Sequence, residues 1–159
     1  MKELIEEFQQ DLPLFREMTE KFYRKEMSIK DYKSFSGGYG SYTQRGAEKS
    51  MLRLRFCGGR VSVAQLAFLV DVLDKYQVDM LHFTTCQSIQ LHNLGLEAVC
   101  GIMEEAYGHD IITRGGGGDF PRNVMVSPLA GVDKEEYFDV SPYAKASAEY
   151  LLKFKKKIG

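Results

Sequence analysis

No run of residues in this chain is apolar for long enough to span a bilayer, and neither sign of charge prevails. With 21 basic and 22 acidic residues the formal charge is −1, so no global field draws the protein to nucleic acid or to an anionic membrane. Any basic site must be local. The opening residues Met1-Lys-Glu-Leu-Ile-Glu-Glu7 lack both the basic start and the apolar core of a signal peptide. Cysteine is scarce: Cys57, Cys86 and Cys100 form an odd, widely spaced set without a Cys-x-x-Cys pair. That set argues against a disulfide framework and a zinc site, and it is one thiol short of an all-cysteine iron–sulfur cluster. Together these absences predict a reduced, cytoplasmic protein with no membrane or nucleic-acid partner. No repeat or low-complexity segment interrupts the 159 residues, a length that suits one domain or one domain with part of another.

What is present is a set of periodic segments. Residues 1–33 are charged and helix-permissive, broken at Pro13, which ends a first helix or starts a second. A glycine- and serine-rich loop, Ser34-Phe-Ser-Gly-Gly-Tyr-Gly-Ser-Tyr42, follows. Leu52, Leu54 and Phe56 then alternate with Arg53 and Arg55, the period of a strand with arginines on its outer face. Ser62 can cap a helix whose Val63, Leu66, Leu69, Val70 and Leu73 form a stripe toward the core. Leu81 and Phe83, then Ile89 and Leu91, mark two more strands, with His82, Thr84, Gln90 and His92 on their polar sides.

Parity constrains that hairpin. Phe83 and Leu81 share a face with Ile89 and Leu91 only if 83 opposes 89 and 81 opposes 91, which leaves an odd loop, Thr85-Cys86-Gln87. A helix with Leu96, Val99, Met103 and Ala106 at helical spacing comes next, and Arg122 to Val126 reads as a fourth strand with Val124 and Val126 inward. Ser141-Pro142 starts a last helix. The order β-α-β-β-α-β predicts an α+β, ferredoxin-like sheet with its helices on one face, plus N-terminal helices and a C-terminal helical extension. The expected units are an N-terminal helical segment (1–36), the ferredoxin-like half-domain (37–127) and the start of a following domain (128–159), which looks cut short.

Arg53, Arg55 and Arg122 could converge on an anion, because guanidinium groups stay charged and offer forked donors. A solvated sheet face is the plainer alternative. His82 and His92 could be acid–base groups. No carboxylate or cysteine stands at ligand spacing from them, so no metal site is expected. Gly115 to Gly118 precede a strand and lack a following Lys-Ser or Lys-Thr, unlike a phosphate loop. They more plainly let backbone pass close to a bulky ligand or a neighbouring segment. An RNA-recognition sheet would need paired aromatics on the outer face, and those are missing.

At these same segments the sequence resembles the nitrite and sulfite reductase family, enzymes that couple siroheme to an iron–sulfur cluster. Gly40-Ser-Tyr-Thr-Gln-Arg45 with Met51-Leu-Arg-Leu-Arg-Phe-Cys-Gly-Gly59 resembles the family's Tyr-x-Gln-Arg entry and its Met-Leu-Arg-x-Arg-x-Pro-Gly-Gly strand. Thr84-Thr-Cys-Gln-Ser-Ile-Gln-Leu-His92 is similar to its Thr-Thr-Arg-Gln-x-x-Gln-x-His hairpin. Gly118-Asp-Phe-Pro-Arg-Asn-Val124 and Ser127-Pro-Leu-Ala-Gly131 resemble a third motif.

The resemblance implies that Arg53 and Arg122 act in catalysis by binding the substrate oxyanion, nitrite or sulfite, and by helping deliver protons. It implies that Arg55, Thr84, Thr85, Gln87, Gln90, His92 and Asn123 contact siroheme. It also implies a 4Fe-4S cluster held by the remainder of a longer chain, and an external electron donor such as ferredoxin or a reductase subunit. This chain alone would hold neither cofactor and would not turn over. A non-catalytic anion- or tetrapyrrole-binding module is the alternative, prompted by Cys86 where the family has arginine. Cys57 stands where the family has proline.

Overall fold

The computed structural model describes residues 2–46, 48–118 and 120–154. Three helices lead, α1 (Lys2–Gln10), α2 (Leu12–Tyr23) and α3 (Ile29–Ser36). They are followed by β1 (Ser41–Thr43), β2 (Ser50–Arg55), α4 (Val63–Lys75), β3 (Leu81–Phe83), β4 (Ser88–Leu94), α5 (Leu96–Tyr107) and α6 (Ser141–Leu152). Pro13 sits in the first turn of α2, where its missing N–H has no helical partner to lose. Ser62 and Gln65 form a reciprocal capping box on α4: the Gln65 N–H donates to Ser62 Oγ, and the Ser62 N–H donates to Gln65 Oε1.

The four strands form one antiparallel sheet in the order β1-β2-β4-β3. Leu52, Leu54, Ile89 and Leu91 turn to one side and pack with Phe68, Leu69 and Val72 of α4 and Val99, Ile102 and Met103 of α5. The fold is α+β and ferredoxin-like. Registers of the β3–β4 hairpin agree with the parity argument: Leu81 opposes Leu91, His82 opposes Gln90 and Phe83 opposes Ile89. The Thr84 N–H donates to the Ser88 carbonyl across a three-residue turn in which Gln87 takes the left-handed conformation at φ 54°.

A second irregularity resolves a parity conflict that the sequence poses. Leu91 and Leu94 have opposite parity, so a regular strand would push one of them into solvent. The β2–β4 register slips between Leu52 and Ser50, and Asn93 adopts φ 59° beside the slip. Both leucines are therefore buried.

Two expectations need correction. Arg122 to Val126 is not a strand. The outer edge of β2 is occupied by β1 and, at its far end, by a bridge from Arg55 to Ile112. The 122–126 segment instead crosses beyond the end of β2, where the Gly58 N–H donates to the Val124 carbonyl at 2.9 Å. The stripe on α4 is also shifted. Phe68, Leu69 and Val72 are buried, whereas Val63 is 86% exposed and Leu66 and Val70 are exposed too. The first turns of α4 carry no charge, so periodicity could not say which apolar side faces inward.

The glycine run is explained by a close neighbour. Gly115 to Gly118 lie against Gly37 to Gly40, with the Gly115 N–H donating to the Gly38 carbonyl at 2.9 Å. A Cβ on Gly40, which sits at φ 81°, would collide with the Thr113 carbonyl. Gly46 also has a positive φ, 88°, but open space around it. Gly46→Ala should therefore cost about 1 kcal/mol, the left-handed penalty alone. Gly40→Ala should cost at least about 2 kcal/mol, because strain and collision add. Urea unfolding of the two variants beside the wild type measures both.

Candidate functional site

β2 and its continuation aim two guanidinium groups toward the incoming 114–123 loop. Arg53 donates through Nη1 to the Gly116 carbonyl at 2.7 Å. Arg55, only 7% exposed, donates to the carbonyls of Arg114 and Arg122 at 2.9 and 3.0 Å. Burial pushes the Arg55 pKa down to about 10; nearby Cys57 opposes that shift and Arg122 adds to it. Arg55 remains charged at neutral pH. Arg122 is exposed and close enough to repel it.

These three arginines, with Asn123, Cys86 and Ser88, line a pocket of about 240 Å³. No carboxylate is among its described lining residues. Positive charge gathered in a concave site without a counter-charge favours an anion.

A polar strip continues from the pocket along β4. Gln90 lies opposite Arg53 in the sheet, and the network orients its amide oxygen toward Arg53, 2.6 Å from Nη2 and 3.1 Å from Nε. Its amide nitrogen is then 3.3 Å from His92 Nε2. On the other side, His92 Nδ1 is 3.4 Å from Gln44 Nε2, and Gln44 Oε1 accepts from the Asn93 N–H at 2.8 Å. The His82 and His92 rings stack with centroids 6.5 Å apart. Burial, and then the neighbouring His82, hold the His92 imidazole below its ordinary pKa.

The remaining predicted residues have different tasks. Gln87 grips one residue with both ends of its amide, donating to the Val126 carbonyl at 2.7 Å and accepting from the Val126 N–H at 3.1 Å. Asn123 Nδ2 reaches the carbonyls of Phe56, Cys86 and Gln87 at 2.9 to 3.0 Å. These two amides tie the 122–126 segment to the hairpin turn. Thr84 closes that turn, donating to the Ser88 carbonyl and accepting from the Ser88 N–H. Thr85 and Cys86 are exposed on it.

Thus Arg53, Arg55, Arg122 and Asn123 share one pocket, and Gln90 and His92 extend from Arg53. Thr84, Thr85 and Gln87 belong to the turn beside them. Sequence reasoning did not assign Tyr42, Gln44, Arg45 and Lys49, which with His92 line a shallow depression of about 460 Å³. Recognising β1 as a strand would have brought them to this face.

Comparison with known proteins follows this geometry. The family model described as the nitrite/sulfite reductase ferredoxin-like half domain matches residues 42–107. An assimilatory ferredoxin-dependent nitrite reductase of Haloferax mediterranei is 34% identical over 116 residues, 65% of this chain and 20% of that enzyme. A chloroplastic ferredoxin–nitrite reductase of Arabidopsis thaliana is 31% identical over 104 residues, again 65% of this chain but 18% of the relative. A ferredoxin-dependent sulfite reductase of Mycolicibacterium paratuberculosis is 34% identical over 91 residues, 57% of this chain and 16% of the relative. The solved structure of the Mycobacterium tuberculosis NirA protein superposes with a TM-score of 0.70 at 25% identity, covering 87% of this chain and 29% of that one. The chain spans about a fifth of the length of the first of these relatives.

Two measurements check this geometry. Because the folded-state pKa of His92 is lowered, the unfolded chain binds its proton more readily. Stability should be at its full value above the ordinary imidazole pKa of 6.5 and fall as pH drops below it, levelling off beneath the folded pKa. His92→Gln should remove that part of the pH dependence in parallel urea titrations. Asn123→Ala should cost about 1–3 kcal/mol. Combined with Gln87→Ala it should be non-additive, since both amides hold one segment; a double-mutant cycle with zero coupling would contradict this.

Proposed function

We propose, from the match of residues 42–107 to the nitrite/sulfite reductase ferredoxin-like half domain, that the chain is the siroheme- and substrate-facing portion of such a reductase. The observation that carries this reading is the pocket in which Arg53, Arg55 and Arg122 meet without a carboxylate among the described lining residues. A small oxyanion, nitrite or sulfite, supplies the missing negative charge. Arg53 and Arg122 bind it and stabilise the charge that changes as it takes up protons, the role in which preorganised cations contribute most. Arg55 sets the arginine geometry from behind, through the Arg122 carbonyl. Gln90 holds the Arg53 guanidinium by two of its nitrogens, so its donors are aimed before the anion arrives.

The polar strip suits a carboxylate-rich macrocycle. The Gln90 amide and the His92 imidazole lie along β4, and Arg45 and Lys49 flank them on the adjoining depression. Arg53, Gln90 and His92 would hold siroheme directly, with Arg55 behind them. Thr84, Thr85, Gln87 and Asn123 would set the shape of the turn at its rim. When bound, siroheme supplies the redox centre at which the oxyanion is reduced.

The cluster does not fit this chain's own residues. Its three cysteines are a buried Cys100, an exposed Cys86 and a half-buried Cys57. Among the described residues no group of three or more His, Cys, Asp or Glu side chains is arranged to hold a metal. The 4Fe-4S ligands would come from the remainder of a longer reductase, into which residues 128–159 lead. A ferredoxin or a reductase subunit would supply the electrons, in the cytoplasm. Among the described residues no helix is long and apolar enough to cross a membrane.

The reading frame beyond Gly159 tests the assembly directly: it should continue into a cysteine-rich segment, and a stop codon there would sink the proposal. In that longer chain, Arg122→Ala should lower kcat for nitrite or sulfite about a hundredfold with siroheme absorbance retained. Unchanged turnover would remove Arg122 from the mechanism. Cys86 favours a second reading, because a thiol lines the pocket at the position where the resembled hairpin motif has arginine. A non-catalytic tetrapyrrole-binding module would then bind siroheme in the completed chain without turnover.

A further inference from the structure

A second cavity, of about 580 Å³, opens between the Cys57–Gly59 turn, the first residues of α4 and the start of α6. It is more than twice the size of the arginine pocket, at about 240 Å³, and lies within the range of small-molecule sites. Its wall joins two chemistries. Phe56, Val126, Pro142 and Ala144 give it an apolar floor. Lys2, Arg55, Arg60 and Lys145 bring four cations, against the one carboxylate of Asp110 in the described lining.

Glu149 also acts electrostatically on Cys57, so it counts with Asp110 on the negative side. Asp139, which acts on Arg60, is a third, and the four cations still outnumber the carboxylates by one. Ser141, in the same wall, donates its N–H to the Asp139 carboxylate at 2.8 Å, and Asp139 in turn acts electrostatically on Arg60.

We propose that this cavity is a binding site for an amphipathic organic anion: one carboxylate or sulfonate head on an aromatic or branched apolar body. A bare inorganic anion would leave the apolar floor wet. A neutral apolar molecule would leave the surplus positive charge uncompensated. The head belongs with Arg60 and Lys145, whose charged donors line the wall. The body lies against Phe56, Val126 and Pro142. Arg55 belongs to both cavities, so an occupant here borders the oxyanion pocket without entering it.

Cys57 lines the new cavity and Cys86 the arginine pocket, so each thiol reports on one site. This site does not depend on the reductase reading, and its test uses the 159-residue chain with no cofactor. The chain is labelled with N-ethylmaleimide, and peptide mapping follows the two thiols separately. With 1-naphthoate at about ten times its dissociation constant, labelling of Cys57 should slow about tenfold while Cys86 is unaffected. Equimolar 1-naphthalenemethanol should give little protection.

Arg60→Ala combined with Lys145→Ala should abolish the protection by naphthoate, with far-UV circular dichroism confirming the fold. Equal protection by the alcohol, or no protection of Cys57 up to the solubility limit of naphthoate, overturns the proposal. Both of these outcomes come from the wild-type chain and need no variant.

Discussion

A buried guanidinium, Arg55, organises the region around the arginines. Removing its charge from water is costly unless fixed acceptors replace the lost hydration. Here the acceptors are the main-chain oxygens of Arg114 and Arg122. The Arg55 N–H also donates to the Ile112 carbonyl at 2.8 Å. One residue thus fastens three points of the returning chain to the end of β2. By doing so it draws a second arginine, Arg122, close to itself. The repulsion between them is a standing cost that an anion between or beside them would relieve.

Much of this architecture was legible because side-chain parity is an inflexible rule. The 83–89 register and the three-residue turn follow from keeping four apolar residues on one face, and nothing in the tertiary structure could relax that. The fourth strand was not legible for a complementary reason. Val124 and Val126 alternate as a strand would, yet a strand needs a free edge to pair with. The edge of β2 is taken by β1, three residues long and drawn from a stretch that reads as a loop. Local pattern cannot report which segment wins an edge. On α4 the difficulty is different: apolar residues surround its first turns, so several stripes are equally good and only packing chooses among them.

The polar residues show a similar division. Gln87, Gln90 and Asn123 all present side-chain amides, and the sequence offers no way to rank them. Gln87 and Asn123 sit beside backbone that leaves the sheet and has unpaired peptide groups, so their amides are drawn to that backbone. Gln90 sits mid-strand, where the ladder already satisfies the main chain, and its amide is free to order Arg53 and to approach His92. A residue's local backbone pairing therefore decides whether an amide is drawn to main chain or to neighbouring side chains.

The interlocked glycines have a kinetic consequence. Gly115 pairs with Gly38 across 77 positions of sequence, and Arg55 reaches Arg122 across 67. The β3–β4 hairpin can form early, since its partners are neighbours in the chain and little loop entropy is lost. The arginine pocket has no such shortcut. Two of its arginines are delivered by β2, but the third arrives only when both distant segments have closed on each other, a long-range event of the kind that slows folding. The arginine pocket would then mature last, after the hydrophobic sheet beneath it is already in place.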